Sequence, residues 1–168
     1  MTPSAWFVLH VRSNFEQKVS RFVAGRHGPE TFLPTYRAKI RRAGRIRVAD
    51  RPVFPGYVFV LLRDRGERVA ALQAPGVVGL VGFSGRAAPV DAETMRSLRI
   101  LAAGSAEVRP HPMLREGQRV RVLDGPFAGA VGTLSRGQGR KPRLVVTIDL
   151  LGRAAAAPVD LGDVEPIA

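Results

Sequence analysis

Phe54-Pro55-Gly56-Tyr57-Val58-Phe59-Val60-Leu61-Leu62 is an aromatic, β-branched run opened by a Pro-Gly pair. Its composition and length fit a strand over 54–62 that is buried on at least one face. Upstream, Trp6-Phe7-Val8-Leu9-His10-Val11 has the same character and forms a second short strand. A helix follows it. Ser13 has the chemistry of an N-cap, Glu16 completes a capping box, and Phe15, Val19, Phe22 and Val23 recur at helical spacing. Gly25 to Pro29 ends that helix. Residues 31–40 are extended, with Pro34 confining them to an edge or a bulge, and 41–50 form a basic turn or hairpin tip. Downstream, 68–74 suits a short helix closed by Pro75-Gly76, and 77–83 returns as a strand. Asp91 caps a last helix with Met95, Leu98 and Leu101 on one side.

Beyond Ala102 the texture changes. Residues 102–112 (AAGSAEVRPHP) have the small, polar and proline-rich make-up of a linker. After them, period-two alternation appears at 119–122 and 144–150, with turn signals at Asp124-Gly125-Pro126, Gly137-Gln138-Gly139 and Leu151-Gly152. The expected architecture is an α+β N-terminal domain over 1–104, a mainly antiparallel sheet flanked by helices. A linker over 105–114 leads to a small all-β, SH3-like barrel over 115–168.

The chain of 168 residues carries a formal net charge of +12. Residues 1–104 hold 17 basic and 7 acidic side chains, against 9 and 7 in 105–168, so the excess sits in the N-terminal part. A surplus so placed points to nucleic acid, an acidic protein surface or a ribonucleoprotein. Cysteine is absent, which excludes disulfide scaffolds, zinc ribbons and thiol catalysis and suits a reducing cytosol. No apolar run reaches membrane-span length, and the N-terminus lacks the layout of a secretion signal. His10, His27 and His111 are scattered without metal-ligand spacing, and no nucleophile elbow, zincin or Walker motif occurs. Neither enzyme chemistry nor a cofactor or metal is expected.

Three segments in order resemble the NusG/RfaH family of transcription elongation and antitermination factors. They are Trp6–Val11 with its following helix; Phe54–Val60 with Pro75-Gly76-Val77-Val78 and Val81-Gly82-Phe83; and Gly117–Leu134 (GQRVRVLDGPFAGAVGTL), which looks like a KOW motif. The stretch ETFLPTYRAKIRR, the run PGVVGLVGF and the short linker are closer to the specialised UpxY/RfaH-like paralogues. The resemblance implies an NGN domain over 1–104 and a KOW domain over 115–168, in a cytoplasmic, monomeric protein that modulates pausing or termination as an operon-specific antiterminator. A KOW-containing, ribosome-associated RNA-binding protein is the alternative. It accounts for the charge and the barrel, but not for the 54–60 strand in a separate α+β domain.

Carried over residue by residue, the resemblance implies a polymerase-binding depression made by Trp6, Val8, His10, Phe54, Pro55, Tyr57 and Phe59, docking the clamp helices of the largest subunit. From the residues alone, plain core side chains are the favoured reading; the resemblance shifts it for Tyr57, Phe54 and Phe59. Arg12 and Arg21, flanking the first helix, are the implied contacts to the upstream non-template DNA strand; Arg41 and Arg42, in a cluster with Arg37, Lys39, Arg45, Arg47 and Arg51, are further candidate DNA contacts by their charge. A solvated hairpin tip is the other reading of that cluster. Phe127, in the turn after Asp124-Gly125-Pro126, is expected as an exposed anchor for a ribosomal protein or termination factor, a packed turn residue being the other reading. Residues 136–141 (RGQGRK) only superficially resemble a phosphate loop and read as a charged hairpin tip. One family member has a KOW domain that refolds into a helical hairpin. Here, eight glycines and four prolines between 117 and 168 favour a barrel at all times.

Overall fold

The computed structural model describes residues 4–104, 108–114, 116–136 and 141–168. They form two compact units, Met1–Pro89 and Val90–Ala168. In the first, the chain runs β1 (Ala5–Val11), α1 (Glu16–Ala24), β2 (Thr31–Phe32), β3 (Thr35–Arg42), β4 (Arg45–Pro52), β5 (Tyr57–Leu62), α2 (Arg65–Leu72), β6 (Val77–Leu80), β7 (Gly82–Phe83) and β8 (Arg86–Ala87). β2, β5, β1 and β6 form one antiparallel sheet in that order, while β3–β4 and β7–β8 are separate two-stranded ribbons.

Alternation divides the central pair cleanly. Leu9 and Val11 of β1 join Val58, Val60 and Leu62 of β5 in a core with Val19 and Val23 of α1 and Ala71 of α2. Each of these valine and leucine side chains contributes about 1.5–3 kcal/mol on burial. The other face carries Trp6, Val8 and His10 opposite Leu61, Phe59 and Tyr57.

Local details depart from the sequence reading. Ser13 does not cap α1: Phe15 occupies the N-cap position without a side-chain bond, and the buried Glu16 carboxylate accepts from the Asn14 amide at 2.9 Å. Asn14 has φ 67°, a conformation Asn tolerates well, and this kink displaces the cap from Ser13. Phe54–Gly56 is a turn before β5, not part of the strand: Gly56 has φ 85°, and Tyr57 N donates to Phe54 O. The helix read at 68–74 starts earlier, at Arg65, and its N-cap is Asp64.

The second unit holds α3 (Ala92–Ala103), β9 (Arg109–His111), β10 (Arg119–Val122), β11 (Val131–Ser135), β12 (Arg143–Ile148), β13 (Arg153–Pro158), a 3-10 turn at Leu161–Asp163 and β14 (Val164–Pro166). Its sheet is antiparallel throughout, in the order β14-β10-β11-β12-β13-β9, as expected of an all-β C-terminal region. Two features differ from expectation. β9 lies inside the stretch read as linker, with Pro110 on an edge strand where a missing N–H is tolerated. And α3, read as the end of the first domain, packs against β11 and β12, where the buried Ser97 hydroxyl accepts from Val131 N at 2.9 Å. Asp91 caps α3 as expected, its Oδ1 accepting from Thr94 N at 2.8 Å. The 137–140 part of the charged tip lies outside the described residues.

Candidate functional site

The sheet face opposite α1 and α2 carries an aromatic cluster built by register. His10 and Tyr57 are direct cross-strand partners with ring centroids 5.6 Å apart. Phe59 lies 5.6 Å from Phe54 and 5.7 Å from Phe32, and Phe32 lies 6.5 Å from Trp6 in an edge-on contact. These separations are those of favourable aromatic pairs. The turn that presents Pro55 and Tyr57 is pinned by Val11 N donating to Gly56 O at 2.8 Å.

The seven residues expected to form the depression are therefore adjacent but not equally accessible. His10 and Pro55 are exposed, and Trp6 and Tyr57 are half-buried. Val8, Phe54 and Phe59 are at most 1% exposed. Those three are corrected from surface contacts to buried support in this structure. Of the seven, Trp6, His10, Pro55 and Tyr57 have side chains available at the surface.

The basic residues fall on two features. Arg12 follows β1, its amide held by Gly76 O at 2.8 Å, and Arg21 sits in the last turn of α1; both side chains are exposed. Arg41 and Arg42 end β3 on opposite faces of the β3–β4 ribbon, partnered in register by Ile46 and Arg45. Phe22 was assigned to the buried side of α1, yet it is 60% exposed. The helix starts at Glu16, so Phe15 does not belong to its periodicity, and Phe22 lies about 100° around the axis from buried Val23. An exposed aromatic one residue from Arg21 is a feature the sequence reading missed.

A second missed feature is a cavity of about 740 Å³ beside α2, floored by Phe7, Leu62, Val69 and Leu72 and rimmed by Arg65 and Arg68. Phe127 is buried at 3% exposure, which overturns its reading as an exposed anchor. Its turn folds back so that the ring lies against Gly104, where an added Cβ would come within 2.5 Å of the ring. On the same unit, Leu123 and Leu161 are exposed large apolar side chains among the described residues. No described helix is long and apolar enough to cross a membrane.

The family model described as "Transcription termination factor nusG" matches residues 4–99. Similarity extends past that segment. The Vibrio cholerae protein named "Transcription termination/antitermination protein NusG" is 35% identical, with 96% of this chain and 95% of that protein aligned. The protein of the same name from Pseudomonas aeruginosa is 30% identical over 96% and 98% of the two chains. Among solved structures, one described as "Domain interaction in Thermotoga maritima NusG" aligns with a TM-score of 0.55 at 23% identity, covering 98% of both chains, and shows a shared fold. With the family segment spanning more than half the chain and full-length relatives on either side of its end, the chain belongs to the NusG family of non-enzymatic transcription factors.

Proposed function

We propose that this chain binds RNA polymerase at the clamp helices of the largest subunit through the Trp6–His10–Pro55–Tyr57 face, and modulates pausing or termination as an operon-specific antiterminator. Arg12, Arg21, Arg41 and Arg42 hold the upstream non-template DNA strand. The C-terminal unit recruits a ribosomal protein or a termination factor, and the protein works as a cytoplasmic monomer. One observation carries the reading: the paired rings of His10 and Tyr57 reach the surface above a buried layer of Phe54 and Phe59. A half-buried tyrosine on a rigid aromatic base has little conformational freedom to lose on docking. For the C-terminal partner, exposed Leu123 and Leu161 replace Phe127 as the apolar contacts.

The test is a pull-down with core polymerase and, separately, with ribosomal subunits. The wild-type chain retains polymerase. Tyr57→Ala loses it at an unchanged melting temperature, a buried interface aromatic being worth about 2 kcal/mol or more. Arg12→Gln with Arg21→Gln weakens binding to elongation complexes that carry a non-template strand more than binding to core polymerase. Retention on ribosomal subunits without polymerase rejects the assignment in favour of the ribosome-associated alternative.

A further inference from the structure

The β3–β4 ribbon stands apart from both larger sheets, and its two strands pair over their full length, from Thr35↔Pro52 to Arg42↔Arg45. The two-residue turn at its tip, Ala43-Gly44, has positive φ at both positions (50° and 76°), the primed geometry that matches strand twist. Its base is tied by Val53 N donating to Pro34 O at 2.9 Å. Eight residues per strand make it about 27 Å long. Seven cations and a single carboxylate, Asp50, decorate it.

Register sorts those cations onto both faces. Arg37, Lys39 and Arg41 share one face with Asp50, Val48 and Ile46, while Arg42, Arg45, Arg47 and Arg51 share the other with Tyr36, Ala38, Ile40 and Ala49. All seven cationic side chains are exposed, and none forms an ion pair among the described residues. Ile46 and Val48 are also exposed, at 60% and 52%, between cations on the first face.

We infer that the β3–β4 ribbon inserts into the major groove of duplex DNA, its two faces toward the phosphate rows of the two groove walls. A ribbon lying flat on a polyanion neutralises charge with one face only, whereas a groove presents phosphates to both. The major groove of B-form DNA, about 12 Å wide, admits a two-stranded ribbon. Duplex RNA closes its major groove to side chains, and a single strand has no second wall. This inference rests on the reading that the basic residues of this unit meet DNA, and sharpens it from strand to groove.

Anisotropy of the full chain with a labelled DNA duplex of about 20 bp, measured over a salt series, tests it. Two charge-removing variants are compared: Arg37→Gln/Lys39→Gln/Arg41→Gln and Arg42→Gln/Arg45→Gln/Arg47→Gln. Each is expected to weaken duplex binding by about tenfold or more and to flatten the salt slope by about two to three units. Arg42→Lys/Arg45→Lys/Arg47→Lys retains the wild-type slope, which separates lost charge from lost folding. Methyl green, a major-groove ligand, competes, whereas a minor-groove ligand does not. Loss confined to one face, equal affinity for single-stranded DNA or duplex RNA, or competition only by the minor-groove ligand overturns the inference. Both glutamine variants keep core polymerase binding, and Tyr57→Ala keeps duplex binding, so this inference and the polymerase reading fail independently.

Discussion

Tyr57 and Phe59 project from the same face of β5, yet burial gives them opposite roles. Phe59 is fully buried between Phe54 and Phe32, so Phe59→Ala should cost about 3–5 kcal/mol and lower the melting temperature sharply. Thermal melts of this variant beside Tyr57→Ala check the division, and equal melting of the two would abolish it. Gly132 offers a second contrast. Its φ is ordinary, but an added Cβ would lie 2.5 Å from the Val145 carbonyl oxygen on β12. Gly132→Ala should therefore unfold the C-terminal sheet or force β11 away from β12, seen as lost amide protection across that ladder. Alternation in the sequence revealed which side chains share a face. It did not reveal depth, because the Trp6-Val8-His10 row reads the same whether its face is covered or open, and Val8 and Phe59 are decided by packing remote in sequence.

Element by element, the most specific local device is the start of α2. Asp64 Oδ1 accepts from Glu67 N at 2.8 Å, and Glu67 in turn accepts from the Arg63 amide and from Arg63 Nε, each at 2.8 Å. The Arg63 side-chain hydrogen bond, followed by its backbone N–H, holds the Glu67 carboxyl below the usual glutamate range. The folded state thus prefers the ionised form. The cap's contribution is complete above the ordinary glutamate pKa of about 4.3 and disappears as pH falls through the lower folded value. Amide chemical shifts of α2 followed by NMR should show the helix start loosening with a midpoint below about 4.3. Glu67→Gln should remove that transition, and a midpoint at or above the ordinary value would contradict the sign. Helix and strand identity was legible wherever aromatic and β-branched runs met clear caps, as at β1, β5 and α3. At α1 the helix was legible but its start was not, because a left-handed Asn14 displaces the cap; at 41–50 the hairpin was legible but not how far its pairing runs. Only Ala43 and Gly44 form the tip, and the rest of that segment belongs to the two paired strands.

Across the molecule, the two units differ in how firmly sequence dictates their structure, and the second carries the sharper prediction. Ala154–Ala157 is the stretch whose intrinsic propensity favours a helix, yet it is the heart of β13. Tertiary context overrides propensity: Ala154, Ala155, Ala156 and Ala157 are each at most 1% exposed and pair in register with Thr147, Val146, Val145 and Leu144. β9 pairs along the other edge of the same strand. A helix here would break both ladders while gaining only a short alanine run. It could not extend toward the KOW motif, since Gly125 and Gly129 hold φ values of 86° and 91°, Gly132 permits the close approach of β12, and Pro142 and Pro158 bracket the candidate segment. Each interior glycine costs a helix about 1 kcal/mol and each interior proline about 3. The C-terminal sheet is therefore expected to persist whether or not the first unit is attached. Cα secondary shifts across 108–168 in the full chain and in a 90–168 fragment measure this directly. Matching strand shifts in both would establish a permanent sheet. Helical shifts at 143–158 in the full chain that vanish in the fragment would show the opposite: a C-terminal unit held refolded by the N-terminal one, and a factor kept silent until that restraint is released.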